Sequence, residues 1–224
     1  MRVRHLALIL TVSATVLAVV AGLGGCSSSG GATGLPSQSP VATGSPSPAP
    51  PSAFGLATNK QYGIAIRYPL GWVSAARTAP AGDTSGAPRL SVSWADSKGK
   101  VVEGGFVDTL QVSVYAMTKP VKPADVVRYA ASFKTIAAGL IKGLPSLKLT
   151  EPFKPITLNG TRGLQITYTY MIHGTPTGAM SYLLPKGGYA YWVTGQSSAD
   201  TWSASWSKLA PAMASFTIKP VKTK

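Results

Sequence analysis

The sequence predicts an α+β domain, a mainly antiparallel sheet covered by helices. Three observations carry that expectation. Runs with an apolar residue at every second position recur along the chain, the mark of half-buried strands. Short turns join several of them, Asn159-Gly160 among them, so neighbouring strands run antiparallel. Two stretches, Val126–Ile141 and the one from Ser198, switch to three-and-four spacing, and such helices bury their stripe on a sheet.

The chain has 224 residues, and its first part does not read as domain. Arg2 and Arg4 lie in Met1–His5, and the run Leu6–Gly22 carries no charge. Leu23, Gly24, Gly25 and Cys26 follow. A basic start, an apolar run and small residues before a cut form an export signal. The alternative is a retained spanning helix, but the run is shorter than the roughly 20 residues that crossing a bilayer takes. It also ends in Gly and Ser with no basic anchor.

Leu23-Gly24-Gly25-Cys26 resembles the lipobox of bacterial lipoproteins. The resemblance implies that the signal peptide, residues 1–25, is removed and that Cys26 is acylated on sulfur. It gives a use to the single cysteine in the chain. The other reading is an ordinary signal-peptidase cut that leaves a free thiol. Lipidation implies a protein held on the extracytoplasmic face of the cell membrane, with the lipid bilayer as partner through the Cys26 anchor. Each buried methylene contributes about 0.8 kcal/mol, and two or more chains anchor stably.

Residues 26–53 read as a disordered tether. Most of them are Ser, Pro or Gly, and none is charged. Such a run buries too little apolar surface to offset its ordering entropy. As a flexible coil it spans about 30 Å, and up to about 85 Å in polyproline form. The alternative, a proline-rich docking peptide, lacks the flanking basic residues expected of one.

Residues 54–224 then form a single α+β domain, long enough for one core. Tyr62–Tyr68 alternates Tyr, Ile, Ile, Tyr against Gly, Ala, Arg, and Pro69 with Leu70-Gly71 turns the chain. Leu90–Trp94 and Leu110–Tyr115 are the next strands, separated by the polar, Gly-rich loop Asp96–Gly105. Pro123 opens a helix whose stripe is Val126, Tyr129, Ala130, Phe133, Ala137, Leu140 and Ile141. Pro155–Leu158 is a short strand, Asn159-Gly160 a hairpin turn, and Arg162–Ile172 the longest strand. His173–Gly178 turns into the hairpin Met180–Leu184 and Gly188–Gly195. In the last helix Trp202, Trp206, Leu209 and Met213 share a face, and Ser197 with Asp200 makes a capping-box-like start. Pro211 is expected to kink or end that helix, and Ser215–Ile218 to close the sheet.

Two pieces resemble Mog1/PsbP-like domains. One is Tyr62–Trp72, a strand followed by Tyr-Pro, a small turn and Trp. The other is Trp202–Phe216, a closing helix with Ser-Phe. Secreted actinobacterial lipoproteins of the LpqN kind are similar and share the lipobox and spacer. The resemblance implies an antiparallel sheet between helices and very little chemistry. Its members include photosystem-assembly subunits and a regulator of a small GTPase, and no catalytic motif transfers to this sequence.

The residues offer no catalytic set of their own. Besides His5 in the export signal, the chain has one histidine, His173, in the turn His-Gly-Thr-Pro-Thr-Gly. No Gly-x-Ser-x-Gly elbow precedes a helix. The acids Asp83, Asp96, Glu103, Asp108, Asp125, Glu151 and Asp200 show no metal-binding spacing. No catalytic residue, metal site or cofactor is expected.

Charge is the feature above background. The formal net charge is +14, and basic residues still far outnumber the acids once Arg2 and Arg4 are set aside. Lys219, Lys222 and Lys224 cluster at the tail, with Lys119 and Lys122 a smaller pair. Export argues against nucleic acid as partner. Anionic lipids or envelope polymers suit the charge, as does mere solubility. The expectation is a membrane-anchored, non-enzymatic binding or accessory domain of the cell envelope. The alternatives are a carrier of an apolar ligand or lipid in a cavity between the Val126–Ile141 helix and the sheet, and an envelope hydrolase.

Overall fold

The structure, a computed structural model, describes residues 53–80, 87–103, 105–117, 119–126 and 146–219. The signal peptide, the lipobox with Cys26, and all of the tether but Ala53 lie outside these residues. So do residues 127–141 of the first predicted helix, of which Pro123–Asp125 is seen as a 3-10 turn leading into buried Val126.

Twelve strands and one α-helix are described. The strands are β1 (Phe54–Asn59), β2 (Ile64–Pro69), β3 (Val73–Thr78), β4 (Leu90–Ala95), β5 (Val101–Val102) and β6 (Gly105–Phe106). They continue with β7 (Thr109–Ala116), β8 (Lys148–Leu158), β9 (Thr161–Ile172), β10 (Thr175–Lys186), β11 (Tyr189–Ser198) and β12 (Thr217–Ile218). The helix, α1, is Trp202–Ala214. One sheet has seven strands in the order β3-β4-β7-β11-β10-β9-β8, another has three in the order β1-β2-β12, and β5-β6 is a small ribbon. Every pairing is antiparallel. The expected antiparallel α+β sheet is observed. Of its helical cover, α1 on one face is what the described residues show.

The core lies between the two sheets and α1. Leu90, Trp94, Leu110, Val112, Val114 and Val193 on the large sheet meet Ile64, Ile66 and Trp72. Leu209 and Met213 of α1 fill the space above β11 and are fully buried. Burial of each such side chain contributes roughly 1.5–3 kcal/mol. Gly195 makes the approach possible, since a Cβ there would stand 2.6 Å from the Met213 sulfur. Across the core Tyr68 stacks on Trp94, with ring centroids 5.3 Å apart.

Four local expectations are corrected. The strand read as Pro155–Leu158 is β8, which begins at Lys148 and has irregular register between Leu149 and Lys154. Proline interrupts the pattern there but is tolerated because β8 is an edge strand. The turn read as His173–Gly178 is only His173-Gly174, and β10 runs on through Pro176. Pro176 and Pro185 each lie where β10 is paired on one side alone, so the missing N–H breaks no second ladder. The helix passes Pro211 and ends at Ala214, held by buried Ala212 and Met213. Finally, Ser197 is the penultimate residue of β11 and does not cap the helix. The N-cap is Thr201, whose hydroxyl bonds no helix amide.

Candidate functional site

The densest polar arrangement among the described residues surrounds Asp108. It follows the β5–β6 ribbon and is 1% exposed. Its Oδ1 accepts from the hydroxyls of Ser197, Thr201 (3.0 Å) and Ser205 (3.2 Å). Its Oδ2 accepts from the Lys100 amide at 2.8 Å. The hydroxyls are also linked to each other, Ser197 to Thr201 at 2.9 Å and Ser198 to Thr201 at 2.6 Å. The carboxylate thus sits at the amino end of α1, where the helix dipole favours negative charge. Gly99 lets the loop wrap this closely, because a Cβ there would stand 2.2 Å from Oδ2.

This arrangement explains the missing cap: the Thr201 hydroxyl is taken by Asp108. Asp200 is engaged separately, its carboxyl held below the ordinary value chiefly by the Ser198 hydroxyl. Chemically the cluster is a staple between the 96–108 loop, β11 and α1. The serine-to-carboxylate contact resembles two members of a catalytic triad, but the hydroxyl of Ser197 bonds Asp108, Ser198 and Thr201 and no imidazole. His173 is exposed in the β9–β10 turn, with a φ of 45°. A hydroxyl next to a carboxylate without an intervening base is not an activated nucleophile.

The far face of the large sheet carries Leu164, Ile166 and Leu183, all buried. A hydroxyl chain crosses it from Tyr168 to Ser181 (3.2 Å) and on to Thr194 (2.8 Å). Burial raises the Tyr168 phenol above its ordinary value. Beside it Tyr170 donates to Gln196, whose amide donates to the Val107 carbonyl at 3.1 Å. Residues 127–141 of the helix that the expected ligand cavity would need lie outside the described residues.

The sequence-derived site residues Cys26, Leu23, Gly24 and Gly25 also lie outside the described residues, as do Lys222 and Lys224. Lys119, Lys122 and Lys219 are exposed. Among the described residues, no three His, Cys, Asp or Glu side chains could hold a metal ion, and no helix is long and apolar enough to cross a membrane. Sequence reasoning missed the Asp108 cluster. The signals for it are Gly99 in the loop and Ser197, Thr201 and Ser205 at intervals of four.

No protein-family model matches the chain, and no curated protein matches it. Solved structures do match. The solution structure of the cyanobacterial PsbP protein CyanoP from Synechocystis sp. PCC 6803 aligns with a TM-score of 0.53 at 12% identity, covering 79% of this chain and 99% of that one. LpqN of Mycobacterium tuberculosis, described as involved in cell envelope biogenesis, aligns at 0.44 with 18% identity, covering 70% and 83%. PA94 from Pseudomonas aeruginosa aligns at 0.44 with 13% identity, covering 75% and 98%. The first likeness defines the fold as PsbP-like, and a fold of itself assigns no activity.

Proposed function

We propose that the chain is a lipid-anchored protein of the extracytoplasmic membrane face. Its PsbP-like domain acts there as a non-enzymatic binding or accessory module of the cell envelope. One observation carries the reading: the only cysteine, Cys26, follows Leu23-Gly24-Gly25 directly after the uncharged Leu6–Gly22 run and precedes an uncharged stretch that reaches the domain. The domain supports the non-enzymatic part through what its polar groups are used for. Asp108, Ser197, Thr201 and Ser205 satisfy one another within the fold. The chain carries cations in excess of acids, which suits anionic lipids or envelope polymers.

The test is labelling of producing cells with radioactive palmitate. The protein incorporates label, and Cys26→Ala abolishes it and releases the protein from the membrane fraction. Undiminished labelling in that variant, or recovery of the native protein from cytosol with residues 1–25 attached, refutes the reading.

A further inference from the structure

We propose that the outer face of the three-stranded sheet, centred on Leu56 and Arg67, docks on a bilayer bearing anionic head groups. This rests on the lipid-anchored reading above and deepens it by naming the surface that meets the membrane. Leu56 is 66% exposed and Leu70 is 55% exposed, two of the six large hydrophobics found exposed among the described residues. Leu56 stands directly opposite Arg67 in the β1–β2 ladder and both are exposed, so the two side chains leave the sheet on one side. The Leu70 amide donates to the Ala53 carbonyl at 3.0 Å, which puts Leu70 at the point where the tether joins the domain.

The cations complete the surface. Lys60 follows β1, and the Lys219 amide donates to the Gly63 carbonyl at 2.7 Å, so both lysines flank the other end of the same sheet. No acid occurs from Phe54 to Gly82, while Lys60, Arg67 and Arg77 do. Exposed leucines among cations, without acids, fit the boundary between anionic head groups and acyl chains. A polymer of anionic sugars or phosphates would satisfy the cations and leave Leu56 and Leu70 in water. The tether confines this face to within tens of ångströms of the bilayer, so a weak intrinsic affinity suffices.

The test uses the lipid-anchored protein with Leu56→Cys, its new thiol carrying an environment-sensitive NBD dye, in vesicles of phosphatidylcholine with or without phosphatidylglycerol. Acylation of Cys26 leaves the new thiol as the free one. On phosphatidylglycerol vesicles the dye brightens about twofold or more as it enters the interface. Arg67→Gln lowers the docked fraction about fivefold. The same dye at Val101→Cys keeps its aqueous brightness, because the adjoining Lys100 amide bonds Asp108 at the amino end of α1, about 20 Å along the helix from the end where the Ser215 hydroxyl accepts from the Arg67 amide. An unchanged dye at position 56, equal brightening at 101, or an Arg67→Gln variant that docks like its parent overturns the proposal.

Anchoring is read separately, by the mass of the peptide that begins at Cys26. Lipid present with no brightening sinks the docking face and spares the proposed function. Lipid absent sinks the proposed function, and the Cys26→Ala chain added to phosphatidylglycerol vesicles still reports docking through the dye at position 56.

Discussion

The side-chain amide of Asn159, in the β8–β9 turn, donates to the carbonyl of Phe216 at 2.8 Å, far along the chain. It also donates to the carbonyl of Ala214 at 2.9 Å. Carbonyls at a helix end lack intrahelical partners, and here a hairpin turn supplies them. Asn159 has a φ of 45° and Gly160 one of 78°, as a two-residue hairpin of the primed kind requires. Asn159→Gly keeps the turn and removes both bonds, so it lowers stability by about 1–2 kcal/mol in urea titration. Asn159→Ala loses about 1 kcal/mol more through left-handed strain. Equal stability of the Gly variant and the parent refutes the bridge.

Asp108 accepts four hydrogen bonds in a site closed to water. Asp108→Ala strands the Lys100 amide and loosens three hydroxyls, and is expected to cost about 2–4 kcal/mol. Because the loop and α1 are joined through this group, proteolysis between Asp96 and Phe106 should accelerate in parallel. A variant with parental melting temperature and cleavage rate removes the staple.

Thr167 is 4% exposed, and its hydroxyl has no hydrogen-bond partner among the described residues. A buried, unpaired hydroxyl is destabilising. Thr167→Val keeps the shape and removes it, and should raise stability by about 0.5–1 kcal/mol. A loss of stability on thermal unfolding contradicts this account of the site.

Burial pushes the Tyr191 phenol up to about 12, with Tyr189 and Tyr62 adding to the effect. The ordinary value, 10.0, applies to the unfolded chain. Between those values the folded protein keeps a proton that the unfolded chain has lost. Stability is therefore intact below pH 10 and falls as pH rises toward 12. Tyr62, Tyr115, Tyr168, Tyr170 and Tyr182 are shifted the same way, each chiefly by burial. Phenolate absorbance should rise together with loss of circular dichroism. Tyr191→Phe should soften the alkaline fall, although it also removes the bond from its hydroxyl to the Tyr62 carbonyl at 3.0 Å. Phenolate appearing well before unfolding, at ordinary tyrosine values, refutes the assignment.

Several elements were legible in the sequence because their burial is written at local period. In β4 Leu90 and Trp94 are buried, and in β7 Leu110, Val112 and Val114 are, the alternation seen in the residues themselves. The same holds for β2, the Asn159-Gly160 turn and the stripe of α1 with Leu209 and Met213. β1 and β3 were not legible. They are edge strands, β3 is mostly exposed, and pairing alone defines them.

Neighbouring residues and simple counting suffice for the antiparallel α+β class, the excess of cations and the position of the single thiol. The folded chain was needed to show that β8 extends to Lys148, that Thr201 serves Asp108 in place of the helix, and that Leu56 and Arg67 share an outward face. Those outcomes depend on groups beyond the reach of a local repeat competing for one hydrogen bond or one side of a sheet. Local periodicity carries no record of which competitor wins.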